Sequence, residues 1–246
     1  MNDVRNVVLE ATGVQYQMSF DEAAFFEWLN KIPSVDSYQG QRFTLYIKVI
    51  VDTLNEDALH ELAALYRRYR IDPRELRVLN TGRLGCWFSS PDRWWHNEVF
   101  GTDSTAKDGP HLGEKHALSD NADHEWAVGD AGTHANMWPP VEVAEFMKEG
   151  NAVLKATGVR YYSELDEAAF FEWLDKNPQV DSYRGRGDTL YISVNVNIGD
   201  ESELSEFPAL YERYNIDMTE LRVLKSGNFG SWFSDPKWWW HKAVFG

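Results

Sequence analysis

The pattern in this chain best suited to chemistry is Trp94-Trp95-His96, which returns as Trp238-Trp239-Trp240-His241. Tryptophan presents a large apolar face with one N–H donor, and histidine titrates near neutral pH. Adjacent helix positions diverge by about 100°, so two neighbouring tryptophans cannot both enter one core. One of each pair is expected at a surface, a seam or a pocket, where grouped aromatics anchor partners or stack on rings. His96 and His241 are the only histidines placed alike in both stretches. A general base or metal ligand needs a second polar group beside it, and neither His-x-x-His nor Cys-x-x-Cys accompanies them. Their expected role is structural, with a place at the edge of the aromatic group.

Other reactive types give no defined constellation. Cys86 is matched by Ser231, and a thiol exchangeable for a hydroxyl is neither nucleophile, ligand nor disulfide partner. His111, His116, His124 and His134 lie among aspartates at spacings that match no metal site, so a solvated segment is expected there and no metal is assigned. Asp21, Glu22, Glu27, Asp36, Glu61, Asp72 and Glu75 all recur 145 positions later. Asp21 and Glu22 fit a helix start, and surface ion pairing worth about 0–1 kcal/mol each accounts for the rest, including Glu61 and Arg68 on one helix face. There is no Gly-x-Ser-x-Gly, phosphate loop or dinucleotide fingerprint. No catalytic residue and no cofactor is therefore assigned.

These residues sit inside a repeat. Residues 6–101 align with 151–246 without a gap, and 57 of the 96 paired positions are identical. Units of this length can bury their own cores, unlike solenoid repeats of about 20–50 residues. Three segments are expected: a first module over 1–101, an acidic connector rich in Gly, His and Asp over 102–150 with a short helix near 141–148, and a second module over 151–246. An internal duplication would place the modules as a pseudo-twofold pair, an intramolecular version of a homodimer.

Within each module the periodicity predicts an α+β fold of order β-α-β-α-β-β-α, a small sheet with helices on one face. Val7–Tyr16 alternates as a strand. Ser19 and Glu22 fit a capping box, followed by Ala24, Phe25, Trp28 and Leu29 at helical spacing, with Trp28 and Trp173 in the core. Tyr38–Gly40 supplies a turn, and Thr44–Val51 is the clearest strand. Its Leu45, Ile47, Val49 face is retained in the second copy, whereas the opposite face changes everywhere except Tyr46/Tyr191. Asn55 caps a helix that buries Leu59, Leu62, Tyr66 and Tyr69. Pro208 stands where the first copy has Ala63, which predicts a later start or a kink in the second helix. Leu76–Leu79 and Cys86–Ser89 read as a hairpin, and Ser90-Pro91 opens a last helix closed by Gly101.

Net charge is −15, and nearly half of it lies in residues 102–150. Phosphate binding needs a basic stripe, so nucleic acid is excluded as a partner. No stretch reaches the roughly 18 apolar residues of a membrane span, and the first residues hold no apolar signal core, so a cytoplasmic protein without a membrane partner is expected. An acidic surface steers towards basic partners, and aromatic side chains supply the anchors. The expectation is a non-enzymatic protein-binding protein with a basic partner: an inhibitor or neutraliser, such as a bacterial toxin-immunity protein. The binding residues would be Tyr46, Trp94, Trp95, His96, Tyr191, Trp239, Trp240 and His241. The alternatives are a small-ligand or carbohydrate module using the aromatics as platforms, or an enzyme with a site between the modules.

Overall fold

The computed structural model describes residues 5–101 and 150–246. The expected connector, its histidines and its short helix lie outside the described residues, apart from Gly150. The fold mixes helix with two three-stranded antiparallel sheets.

In the first half, β1 (Asn6–Thr12), α1 (Ser19–Lys31), β2 (Val35–Gln41), β3 (Thr44–Ile50) and α2 (Glu56–Arg68) follow in order, with β3 central between β1 and β2. Register places Leu9 opposite Ile47, Val7 opposite Val49 and Ala11 opposite Leu45. One alternating face of the sheet therefore meets Phe25, Trp28, Leu29, Leu62 and Tyr66 in the core. Tyr38–Gly40, expected as a turn, lies inside β2, where Ser37, Gln39 and Gln41 give no apolar alternation. β2 is an edge strand held by backbone pairing with β3 and by the Tyr38 ring, which packs on Phe26 with centres 5.2 Å apart.

The expected hairpin is not formed. Pro73–Leu79 is a 3₁₀ helix, and Gly85–Phe88 is one turn of α-helix, α3. A strand would turn Leu76 and Val78 to the same side, yet Leu76 and Leu79 are buried while Val78 is half exposed. That three-residue period belongs to the 3₁₀ form, started by Pro73 in the first turn and by Asp72, which accepts from the Arg74 amide at 3.0 Å. α3 comes close to the preceding loop: a Cβ on Gly85 would stand 3.1 Å from Asn80 Oδ1, and one on the aligned Gly230 only 1.9 Å from the Lys225 carbonyl oxygen, so the second-half position needs glycine. The last helix, α4, is also shorter than expected. It covers only His96–Phe100, and Trp94 and Trp95 stand in the turn before it.

The second half repeats each of these elements 145 positions on: β4 (Asn151–Thr157), α5 (Glu164–Lys176), β5 (Val180–Arg186), β6 (Thr189–Asn195), α6 (Glu201–Arg213), α7 (Gly230–Phe233) and α8 (His241–Phe245). Pro208 does not delay α6, which keeps the thirteen residues and register of α2. Asp200 and Glu203 form a reciprocal capping box there, fixing the helix start a full turn and more before the proline. The start of α1 also differs from expectation. Met18, not Ser19, is its N-cap and supplies no side-chain bond, whereas the aligned Ser163 accepts from the Asp166 amide at 3.2 Å.

Candidate functional site

The halves meet at a seam, where α1 packs on α5 with α2 and α6 alongside. Arg68, the last residue of α2, reaches across to Asp166. Its Nε donates to Oδ1 at 2.8 Å and its Nη2 to Oδ2 at 2.6 Å, with both side chains almost wholly buried. The spare guanidinium protons go to the Arg160 carbonyl at 2.6 Å and the Arg213 carbonyl at 3.2 Å. The same contact recurs with positions exchanged. Arg213 donates to Asp21 at 2.9 and 2.6 Å, to the Gln15 carbonyl at 2.7 Å and to the Arg68 carbonyl at 3.4 Å. Each guanidinium also lies on a tyrosine ring, Arg68 4.1 Å from Tyr214 and Arg213 4.3 Å from Tyr69. A bidentate carboxylate, carbonyl acceptors and an aromatic face satisfy most of what a buried guanidinium needs.

Two glutamates complete the seam. Glu61 accepts from the Ser163 hydroxyl at 2.6 Å and the Leu165 amide at 3.2 Å at the start of α5, and from Trp28 Nε1 at 2.9 Å within its own half. Glu206 accepts from the Ser19 hydroxyl at 2.8 Å and the Phe20 amide at 3.1 Å at the start of α1. Each carboxylate thus serves the positive end of a helix in the opposite half. Burial holds both carboxyls above the usual glutamate range, against the opposing pull of these hydrogen bonds. At the rim Lys31 meets Glu172 at 2.5 Å, and Lys176 meets Glu27. Asp21 stands in the first turn of α1, as expected, and accepts from the Gln17 amide at 2.8 Å, and it also crosses the seam. Glu61 and Arg68, expected as surface ion-pairing groups, are seam residues and do not pair with each other.

The tryptophans divide as one in and one out, although by a turn rather than a helix. Trp95 and Trp240 are only 2% and 1% exposed, and their Nε1 groups donate to the carbonyls of Phe88 at 2.9 Å and Phe233 at 3.0 Å. As core side chains they offer no face to a ligand of the folded protein. Trp94 and Trp239 remain 37% and 44% exposed. His96 and His241 begin α4 and α8, each half-buried against a phenylalanine ring, Phe100 and Phe245. Tyr46 and Tyr191 stand on β3 and β6, on the sheet face opposite the core, between Glu10 and Gln39 and between Lys155 and Arg184 respectively. The structure therefore separates the tyrosines from the tryptophan–histidine turns.

The surroundings of the two exposed tryptophans differ. Trp94 donates from Nε1 to His60 Nε2 at 3.2 Å and lies beside Tyr162 of the other half, with ring centres 5.9 Å apart. The Arg67 guanidinium stands 5.1 Å from the Trp94 ring and 4.6 Å from that of Tyr162, and it pairs with Glu98 at 3.0 Å. Burial is the main cause of a lowered His60 pKa, with the Arg93 charge second, which leaves the imidazole as a neutral acceptor for the indole N–H. At the aligned positions of the second half stand Ser205, Glu212, Ala243 and, from the first half, Gln17. None of these can rebuild the cation–aromatic contact over Trp239. The arrangement can hold aromatic and charged groups of a partner, with the same side chain offered twice in two different electrostatic settings.

Among the described residues no group of histidine, cysteine, aspartate and glutamate is arranged to hold a metal ion, and no helix is long and apolar enough to cross a membrane. No protein-family model, no curated protein and no solved structure matches the chain.

Proposed function

We propose that this chain is a non-enzymatic acidic protein-binding protein, an inhibitor or neutraliser of the kind that toxin-immunity proteins represent, acting on a basic protein partner. We further infer that its halves arose by internal duplication and sit as a pseudo-twofold pair. Support for that arrangement comes from the exchange of Arg68–Asp166 with Arg213–Asp21, and of Glu61 at α5 with Glu206 at α1. The observation that carries the binding proposal is the exposure of Trp94 and Trp239 at equivalent places while their neighbours Trp95 and Trp240 are buried. A tryptophan held in place by a buried neighbour loses little freedom on binding, and such residues dominate interface energies. The net charge of −15 speeds the approach of a basic partner.

Capture from native lysate by the tagged full-length chain tests this, run in parallel with Trp94→Ala, Trp239→Ala and the double variant. The expected result is a stoichiometric basic protein, lost at about 1 M salt, where screening falls to about 3 Å, and weakened at least tenfold in the double variant. Capture indifferent to both tryptophans, or the absence of any stoichiometric partner, would contradict the proposal.

A further inference from the structure

The first half of the chain shows what the face of an exposed tryptophan at this position accepts. Arg67 places its guanidinium over both Trp94 and Tyr162, with Glu98 as its carboxylate. In the second half the tryptophan is retained and the cation is not. Glu212 stands in Arg67's place one residue before the end of α6, and Gln17 replaces Tyr162. A carboxylate gains nothing from the negative face of an indole, so Glu212 does not substitute for the guanidinium. Among the described residues, two neighbouring cations are engaged elsewhere. Arg70 meets Glu212 at 3.5 Å from a largely exposed side chain, and Lys237 is shared between Asp235 at 3.2 Å and the Trp238 ring at 4.9 Å.

We infer that the exposed face of Trp239, with Glu212 at the position aligned with Arg67, is a receptor for an arginine side chain of the partner, which takes the place that Arg67 fills over Trp94. The occupant follows from the chain itself: the equivalent tryptophan carries a guanidinium, and the exchange of Arg67 for Glu212 supplies the complementary charge. The site at Trp94 is closed to such a ligand, because its own arginine occupies it. The two halves are therefore unequal in binding, and the second is the one that takes the basic group. This inference rests on the reading of the chain as a binder of a basic protein.

The test is a titration of the ¹⁵N-labelled full-length chain with the peptide acetyl-Gly-Arg-Gly-Arg-Gly-amide and with its citrulline twin. The readout is the indole N–H resonances, with Trp239 and Trp94 assigned by Trp239→Phe and Trp94→Phe. A single arginine on an aromatic face with one exposed carboxylate corresponds to affinity on the millimolar scale, so the titration extends to about 10 mM. Expected are a saturable shift of the Trp239 resonance, an unmoved Trp94 resonance and no saturation with citrulline. Glu212→Gln should weaken binding about threefold to fivefold, the scale of an exposed ion pair. Glu212→Arg, which puts a guanidinium at the position of Arg67, should abolish it while the other indole resonances stay in place. No saturable shift, equal binding of the citrulline peptide, or undiminished binding to Glu212→Arg would overturn the inference. Partner capture that persists in Glu212→Arg but is lost in Trp94→Ala would overturn this site while upholding the binding function. Saturation at Trp239 without any captured partner would do the reverse.

Discussion

Arg68 and Glu61 carry opposite charges on one helix, and neither satisfies the other. Arg68 spends its side-chain hydrogen bonds on the opposite half of the chain, as Glu61 does apart from the one from Trp28, and removal from water makes their protonation states count. The raised carboxyls of Glu61 and Glu206 have a defined consequence for pH. A group whose folded pKa lies above its unfolded value contributes stability that is present at low pH and lost as pH rises through the folded value. The two glutamates should therefore make the protein less stable as pH climbs from the ordinary value of 4.5 through their raised range. His60, lowered mainly by burial, acts in the opposite sense, so the difference between parent and variant is the informative quantity. In Glu61→Gln/Glu206→Gln the amide oxygens still accept from Ser163 and Ser19, and no charge is buried. Urea denaturation at pH 5 and pH 7.5 should show the variant gaining stability relative to the parent at the higher pH. A parent–variant difference that is the same at both values would contradict the assignment. The residue types at the seam were legible in the sequence, since Asp21, Glu61 and Arg68 are all retained in the second copy. Their destination was not, because spacing along one helix says nothing of what another half of the chain presents to it.

At the scale of elements, regular periodicity was readable and irregular backbone was not. The first two helices of each half and the central strand follow from their apolar spacing, and Asn55 caps α2 as its type predicts, accepting from the Ala58 amide at 2.8 Å. The strand β2 was hidden by its polar composition. The 3₁₀ segment at Pro73–Leu79 mimicked a strand because four residues are too few to separate a period of two from one of three. The hairpin between β2 and β3 offers a test of local conformation. Arg42 holds φ at 56° in its two-residue loop, where the second half has Gly187 at 62°. Left-handed backbone costs a side-chain-bearing residue about 1–2 kcal/mol, part of which glycine returns through its freer unfolded chain. Arg42→Gly should therefore stabilise the protein by about 0.5–1 kcal/mol, and Gly187→Arg should destabilise it by a similar amount. A Cβ at Gly187 meets nothing within 4 Å, so backbone conformation alone is at issue. Equal midpoints for the parent and both variants in chemical denaturation would show that the turn carries no such strain.

On the scale of the whole molecule, the repeat in the sequence foretold two similar halves but not the seam that joins them. Paired buried guanidiniums, two glutamates serving helices across the boundary and tyrosines beneath each arginine make the halves interdependent. That interdependence gives Trp94 its neighbour, because Tyr162 comes from the opposite half. It also gives the proposed binder a fixed spacing between its two exposed tryptophans. Removing one partner of a buried ion pair typically costs about 3–5 kcal/mol, since the other charge is left without compensation. Scanning calorimetry of the full-length chain beside Arg68→Ala/Arg213→Ala measures this most directly. The parent should unfold in one transition whose calorimetric and van't Hoff enthalpies agree, and the double variant should fall sharply in Tm and separate into two transitions, one for each half. Two independent transitions in the parent, or a double variant that still melts with the parent's midpoint, would contradict the account.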